Sequence, residues 1–130
     1  MNSSEELNIR KTLDLFIEGL RTLDYDKISE AFYTDGKSMC APRGRIRFVL
    51  RDHWKEMGDQ ARAKGKKFID DTAHYEVKSL EIIGNAASII IDVVIKRENE
   101  ITERFTDFYH MLKTKGKWII VNKIFPTKTD

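Results

Sequence analysis

The stretch AASIIIDVVIKR, from Ala86 to Arg97, decides how the rest of the chain folds. Its side chains alternate between a wholly apolar set, which begins with Ala87 and Ile89, and a mixed set. This alternation is typical of a β-strand with one buried face. Two similar runs follow at residues 101–113 and 117–125, and the segments between the runs are short enough for hairpin loops. The last third of the chain therefore predicts three consecutive antiparallel strands.

Apolar residues upstream recur at helical spacing instead. The pattern predicts helices over residues 4–22, 27–32 and 52–64. Asp52 is expected to cap the third helix, and Gly65 to end it.

The segments that connect these helices predict a small hairpin and one more long strand. Tyr33-Thr34-Asp35-Gly36 is expected to be a turn that ends the second helix. Short strands are expected over residues 37–41 and 45–49, and a long strand over residues 73–83. A sheet with one apolar face needs helices packed on it, so the predicted class is α+β in a single domain, residues 1–130.

The composition excludes several classes of protein. Lys and Arg exceed Asp and Glu by only two charges, and no recognition motif accompanies the basic residues, so we expect no nucleic-acid partner. No apolar run is long enough to cross a bilayer, and the N-terminus lacks the features of a signal peptide. The single cysteine, Cys40, forms no internal disulfide. We therefore expect a cytoplasmic protein that does not associate with membranes.

Four short motifs resemble those of one protein family. Phe16-Ile17-Glu18-Gly19-Leu20 with Asp24 resembles its Y-x-E-G…G-D pattern, and Ala31 to Gly36 resembles A-F-H-P-D-A. Thr106 to Tyr109 with Leu112-Lys113 resembles D-Y-L-x-L-L-K, and Gly116 to Phe125 resembles G-x-W-K-I-V-N-K-x-F. The family is the nuclear transport factor 2-like (cystatin-like fold) superfamily, and within it the putative lumazine-binding and SnoaL-like group. The resemblance implies three helices packed on a strongly curved antiparallel sheet, a cone-shaped cavity between them, and a homodimer.

Asp107 is the candidate catalytic residue. It lies inside a predicted strand among aromatic side chains, where an ionised group is costly unless it is paired. One interpretation is an acid or base in a pocket. The other is a structural carboxylate paired with Arg104, Lys123 or a backbone donor.

Other residues are candidates for lining the cavity, because they are aromatic or are polar groups next to apolar rows. Asn122 shares strand parity with Trp118 and Ile120, which predicts that it faces inward. Asp35 is either a turn residue or part of the cavity rim. The histidines and Cys40 show no metal-ligand spacing, so no metal and no cofactor is expected. The candidate ligand-binding residues are Phe16, Tyr33, Asp35, Trp54, His74, Tyr109 and Asn122.

Three functions remain open at this point. The first is a pocket protein that binds a small apolar or aromatic molecule. The second is an acid–base enzyme, an isomerase, dehydratase or cyclase, in which Asp107 is the base and Tyr33 or Tyr109 is a hydrogen-bond donor. The third is a dimeric interaction module whose cavity is filled by side chains. The residues alone do not decide whether the protein is an enzyme.

The second face of the sheet predicts the homodimer. The helices cover only one face, so apolar side chains on the other would form an exposed patch, which a two-fold partner would bury. The residues expected at this interface are Ile90, Val94, Phe108, His110, Leu112, Ile119 and Val121, with Ser88, Asp92 and Thr106 interspersed.

Overall fold

The computed structural model describes residues 3–69 and 72–127, apart from the side chains of Ser3 and Arg97. Three helices precede most of the strands. In chain order the elements are α1 (Ser3–Thr22), α2 (Tyr25–Ala31), β1 (Phe32–Cys40), β2 (Arg47–Leu50), α3 (His53–Ala63), β3 (His74–Ile83), β4 (Ala86–Arg97), β5 (Glu100–Thr114) and β6 (Lys117–Ile124), with a short 3-10 turn, Pro42–Gly44, before β2.

The six strands form one sheet in the order β2-β1-β6-β5-β4-β3. Strands β3 to β6 pair as antiparallel neighbours, as predicted, whereas β1 joins β6 in parallel. The α+β class and the curled sheet are confirmed.

The core lies between the helices and one face of the sheet, here called the inner face. The predicted apolar row of β4 is buried there: Ala87, Ile89, Ile91, Val93 and Ile95. Helix α1 covers it with Leu13 and Phe16, and the Thr12 hydroxyl donates a 2.9 Å hydrogen bond to the carbonyl of Trp118 in β6. Apolar burial and this buried hydrogen bond hold α1 on the sheet, together with hydrogen bonds from Tyr75 to Asp14 at 2.6 Å and from Lys113 to Glu5 at 2.8 Å.

Two helix-end predictions have different outcomes. Gly65 follows α3 with a φ of +66°, the left-handed conformation expected of a residue that ends a helix. Asp52 precedes α3 but makes no capping hydrogen bond. Its carboxylate accepts instead from the Tyr25 hydroxyl and, at 3.0 Å, from Arg51 Nε. The predicted Asp52 cap is therefore wrong, because two side-chain donors compete for its carboxylate.

The predicted turn at residues 33–36 is wrong, because these residues belong to β1. They form a long bulge. Phe32 pairs with Ile120, but the next paired residue of β1, Lys37, is opposite Asn122, so four residues of β1 stand opposite one residue of β6. Gly36 makes this geometry possible. A Cβ atom at Gly36 would lie 2.8 Å from the carbonyl oxygen of Val121 and 2.8 Å from the Phe32 ring. The bulge therefore depends on a residue without a side chain.

No helix within the described residues is long and apolar enough to cross a membrane.

Candidate functional site

The buried polar pair on the inner face belongs to β5. Asp107 and Tyr109 follow the strand alternation inward, and the Tyr109 hydroxyl donates a 3.1 Å hydrogen bond to Asp107 Oδ2. Only 8% of Asp107 is exposed, and Tyr109 is fully buried. Burial, and then the charge and the hydrogen bond of Asp107, raise the pKa of the Tyr109 hydroxyl well above its ordinary value. Tyr109 is therefore a protonated donor held against a carboxylate.

Lys123 lies on the same face because of a bulge in β6. His110 pairs with Asn122 while Met111 pairs with Ile120, so Val121 is an extra residue. Paired residues share a face, so Lys123, opposite Tyr109, points inward, and Asn122, opposite the exposed His110, points outward. The predicted inward orientation of Asn122 is wrong, because the bulge reverses the parity of β6 after Ile120.

The Lys123 amine lies among aromatic rings. Its Nζ atom is 4.7 Å from the ring centroid of Phe125 and 5.9 Å from that of Phe16. Burial lowers the pKa of Lys123, and the negative charge of Asp107 opposes this shift. Within the described residues, no carboxylate lies within ion-pair distance of Lys123.

A cavity of about 530 Å³ opens in front of Lys123, between α3 and the strands β1, β2 and β6; we call it the Lys123 cavity. Trp54 closes its inner side, packing edge-on against Phe32 and Phe16 with ring centroids 5.0 and 5.4 Å away. The mouth lies beside Ile46 and Phe48, which are 72% and 51% exposed. The lining residues are Ser38, Cys40, Ile46, Arg47, Phe48, Val49, Trp54, Met57, Lys123 and Phe125.

The structure brings three of the predicted ligand-binding residues together. Trp54 lines the Lys123 cavity, and Phe16 lies directly behind it, in contact with Tyr109 at a centroid distance of 6.0 Å. Asp107 adjoins this group through Tyr109. These residues converge because Phe16 of α1 contacts both Trp54 of α3 and Tyr109, which β5 contributes to the inner face.

The other predicted residues lie elsewhere. Tyr33 and Asp35 are exposed in the β1 bulge. His74 pairs with Val94, which in turn pairs with the exposed Arg104, so the imidazole lies on the outer face of the sheet and not at the cavity mouth.

Arg104 does not pair with Asp107, which was one of the predicted alternatives. Its guanidinium donates to Asp92 at 2.8 Å and to Glu76 at 3.3 Å on the outer face. The Thr106 hydroxyl also donates to Asp92. The hydrogen bond from Thr106 contributes most to lowering the pKa of the Asp92 carboxyl, and the hydrogen bond from Arg104 contributes next. Asp92 itself is buried, whereas Arg104 and Glu76 are exposed, and this outer-face network is separate from the Lys123 cavity.

The outer face carries apolar side chains, but not all the predicted ones. Phe108 and Leu112 are 40% and 43% exposed, and Ile124, which pairs with Phe108, is 42% exposed. Val94 is fully buried within the chain and cannot contribute to an exposed patch, which corrects the predicted interface. A second depression of about 460 Å³, here called the outer groove, lies at the edge of this face against Met39, Phe108 and Ile124. It adjoins the Lys123 cavity, with which it shares Cys40, Ile46 and Phe125.

Sequence reasoning missed Ser38, Arg47 and Met57, and treated Lys123 only as a possible partner of Asp107. One signal was available: Lys123 is a charged residue inside an otherwise apolar strand. Without the bulge, however, simple alternation assigns it to the wrong face.

The comparison with protein families decides the classification. The model of the family described as putative lumazine-binding matches residues 4–126. The chain belongs to this family. Among curated protein sequences, none matches the chain significantly.

Solved structures similar to this member of the putative lumazine-binding family share its fold. An NTF2-like protein of unknown function from Shewanella baltica OS155 is 24% identical, with a TM-score of 0.73 over 96% of this chain and 94% of that chain. One from Silicibacter pomeroyi DSS-3 is 20% identical, with a TM-score of 0.71 over 96% and 98%. A protein of unknown function with a cystatin-like fold from Nostoc punctiforme PCC 73102 is 14% identical, with a TM-score of 0.65 over 98% and 94%. The fold is therefore NTF2-like (nuclear transport factor 2-like).

Proposed function

We propose that this protein binds a small, mostly apolar or aromatic molecule in the Lys123 cavity. The observation that carries the proposal is the cavity itself. It is of ligand size, its walls are mainly apolar, and a few polar groups lie at its inner end. The family description, putative lumazine-binding, names a small aromatic heterocycle and supports this class of ligand.

Two methionines allow a matched test. Met57 lines the Lys123 cavity and Met39 lines the outer groove, and both are half-buried. The neutral fluorescent probe N-phenyl-1-naphthylamine reports entry into either site. We expect saturable binding to the wild type, a loss of about tenfold or more in affinity for Met57→Trp, which fills the Lys123 cavity, and little change for Met39→Trp.

Two results would contradict the proposal. If Met39→Trp abolishes binding while Met57→Trp does not, the probe occupies the outer groove. If the folded wild type takes up no probe saturably, the cavity is not a binding site.

The pair of Asp107 and Tyr109 supports a second candidate, an acid–base enzyme. Asp107 would abstract a proton next to a carbonyl group, and a hydroxyl donor would stabilise the oxyanion that forms. Of the two predicted donors, Tyr109 contacts Asp107 and Tyr33 is exposed. The pair lies behind the cavity lining, so this function requires the substrate to reach past Lys123.

Deuterium exchange at the carbon next to the carbonyl of 2-tetralone, followed by NMR in D₂O, tests the second candidate. An enzyme of this kind accelerates exchange, and Asp107→Asn abolishes the acceleration while Asp35→Asn, at an exposed position, leaves it unchanged. Equal exchange with and without the protein removes this candidate.

The homodimer through the outer face is also part of the proposal. Phe108 and Leu112 form an exposed apolar surface with Ile124, and the half-buried Ile90, Ile119 and Val121 adjoin it. A second copy presenting the same face would remove this surface from water.

A further inference from the structure

The charged groups of the Lys123 cavity all have one sign. Among its lining residues, all within the described part of the chain, Arg47 and Lys123 are cationic and none carries a carboxylate. A cavity whose charged lining is only positive favours a negatively charged occupant.

Ser38 stands next to Lys123 at the inner end of the cavity. The two residues are paired across the parallel strands β1 and β6, so their side chains lie side by side on one face. Ser38 is only 5% exposed, and Lys123 is half-buried. Within the described residues, neither side chain makes a hydrogen bond to the protein.

Unpaired donors in an apolar cavity are costly. The amine of the half-buried Lys123 is not sealed from water, but an ammonium group has three N–H donors and no acceptor. A ligand that displaces water from it without supplying an acceptor would leave it unpaired at a cost. The Phe125 ring offers a weak compensation through its π face. An acceptor supplied by a ligand would satisfy the amine and the Ser38 hydroxyl together.

Asp107 does not fill this role. Its carboxylate accepts from the Tyr109 hydroxyl, lies outside ion-pair distance of Lys123, and is not part of the cavity lining. The negative charge of Asp107, on the side of Lys123 away from the cavity, raises the pKa of the amine and helps it stay protonated. The side of the amine that faces the cavity remains open to a ligand.

We propose that the ligand of the Lys123 cavity is an organic anion. Its carboxylate or similar group lies between Lys123 Nζ and Ser38 Oγ, and its apolar or aromatic body packs against Trp54, Met57 and Val49. This inference rests on the proposed function and adds the chemical class of the ligand. Arg47 at the mouth adds a second positive charge along the entry path.

Two probes that differ mainly by one charge test the inference. 1-Anilinonaphthalene-8-sulfonate is N-phenyl-1-naphthylamine with an added sulfonate. For Lys123→Met we expect the affinity for the sulfonate probe to fall about tenfold, because a charge-assisted hydrogen bond is lost, while the affinity for the neutral probe changes by less than about threefold. For Ser38→Ala the sulfonate probe alone should lose about fivefold.

Lys117→Met is the matched control. Lys117 is a lysine of the same strand, more than half exposed and 3.8 Å from Glu30, so its replacement removes one positive charge away from the cavity. Both probes should bind this variant as they bind the wild type. Circular dichroism checks the folding of every variant, and if Lys123→Met does not fold, the selective effect of Ser38→Ala decides.

The outcomes separate the two proposals. If both probes bind but neither Lys123→Met nor Ser38→Ala discriminates between them, the anion inference is wrong and the binding proposal stands. If the sulfonate probe weakens equally with Lys117→Met, its affinity reflects overall charge and the inference is also wrong. If neither probe binds saturably to the wild type, the proposed function fails.

Discussion

Replacing Gly36 by alanine should destabilise the protein through the β1 bulge. The added methyl carbon would lie 2.8 Å from the Val121 carbonyl oxygen and 3.1 Å from that of Tyr33. Both oxygens belong to the backbone of paired strands and cannot rotate away as a side chain would. Forcing such a contact costs about 1–3 kcal/mol. The reduced entropy of the unfolded chain returns about 0.4–1 kcal/mol.

Urea unfolding, followed by tryptophan fluorescence and circular dichroism, measures the difference. We expect Gly36→Ala to lose about 1–2 kcal/mol of unfolding free energy. Gly58→Ala is the control: its nearest neighbour would be 3.9 Å from the added carbon, and it lies inside α3, so a gain of about 0.5–1 kcal/mol is expected. A Gly36→Ala protein as stable as the wild type would refute the argument that close backbone approach sets this bulge.

Three further outcomes are expected. Trp118→Ala, at a side chain only 1% exposed, should lose about 3–5 kcal/mol in urea unfolding, and a loss below about 1 kcal/mol would mean that the packing of β6 is misassigned. In sedimentation velocity at micromolar concentration, the wild type should be a dimer and Leu112→Asp a monomer. The control Leu7→Asp, at an exposed leucine of α1, should remain a dimer. A monomeric wild type would contradict the proposed interface. Because burial lowers the pKa of Lys123, the unfolded chain binds more protons than the folded one between the lowered value and the ordinary 10.5. Wild-type stability should therefore rise with pH through that range relative to Lys123→Met, and parallel pH curves for the two proteins would contradict the lowered pKa.

Much of the fold follows from the sequence because it depends on periodicity. The alternation of β4 identifies the buried row from Ala87 to Ile95, and the helical spacing identifies the stripe of α1 that covers it. These patterns extend over many residues, so a single irregular position does not obscure them. The inward orientation of Asp107 and Tyr109 follows from the same alternation.

The site is less predictable because two bulges determine it. Thr34, Asp35 and Gly36 have the composition of a turn, but they form a bulge within β1, because Phe32 before them and Lys37 after them both pair with β6. Tertiary structure therefore overrides local preference. The extra residue Val121 exchanges the faces of Asn122 and Lys123. Neither bulge leaves a mark in the hydrophobic pattern, and a shift of one residue moves a side chain to the opposite face.

The central claim is that a small molecule occupies the Lys123 cavity, and methionine-methyl NMR tests it most directly. The chain has four methionines, of which Met57 lines this cavity and Met39 lines the outer groove. With ¹³C-methyl methionine and N-phenyl-1-naphthylamine, we expect nuclear Overhauser contacts from the probe to the Met57 methyl and none to that of Met39. Contacts to Met39 alone, or a Met57 methyl signal unchanged at saturating probe, would contradict the claim.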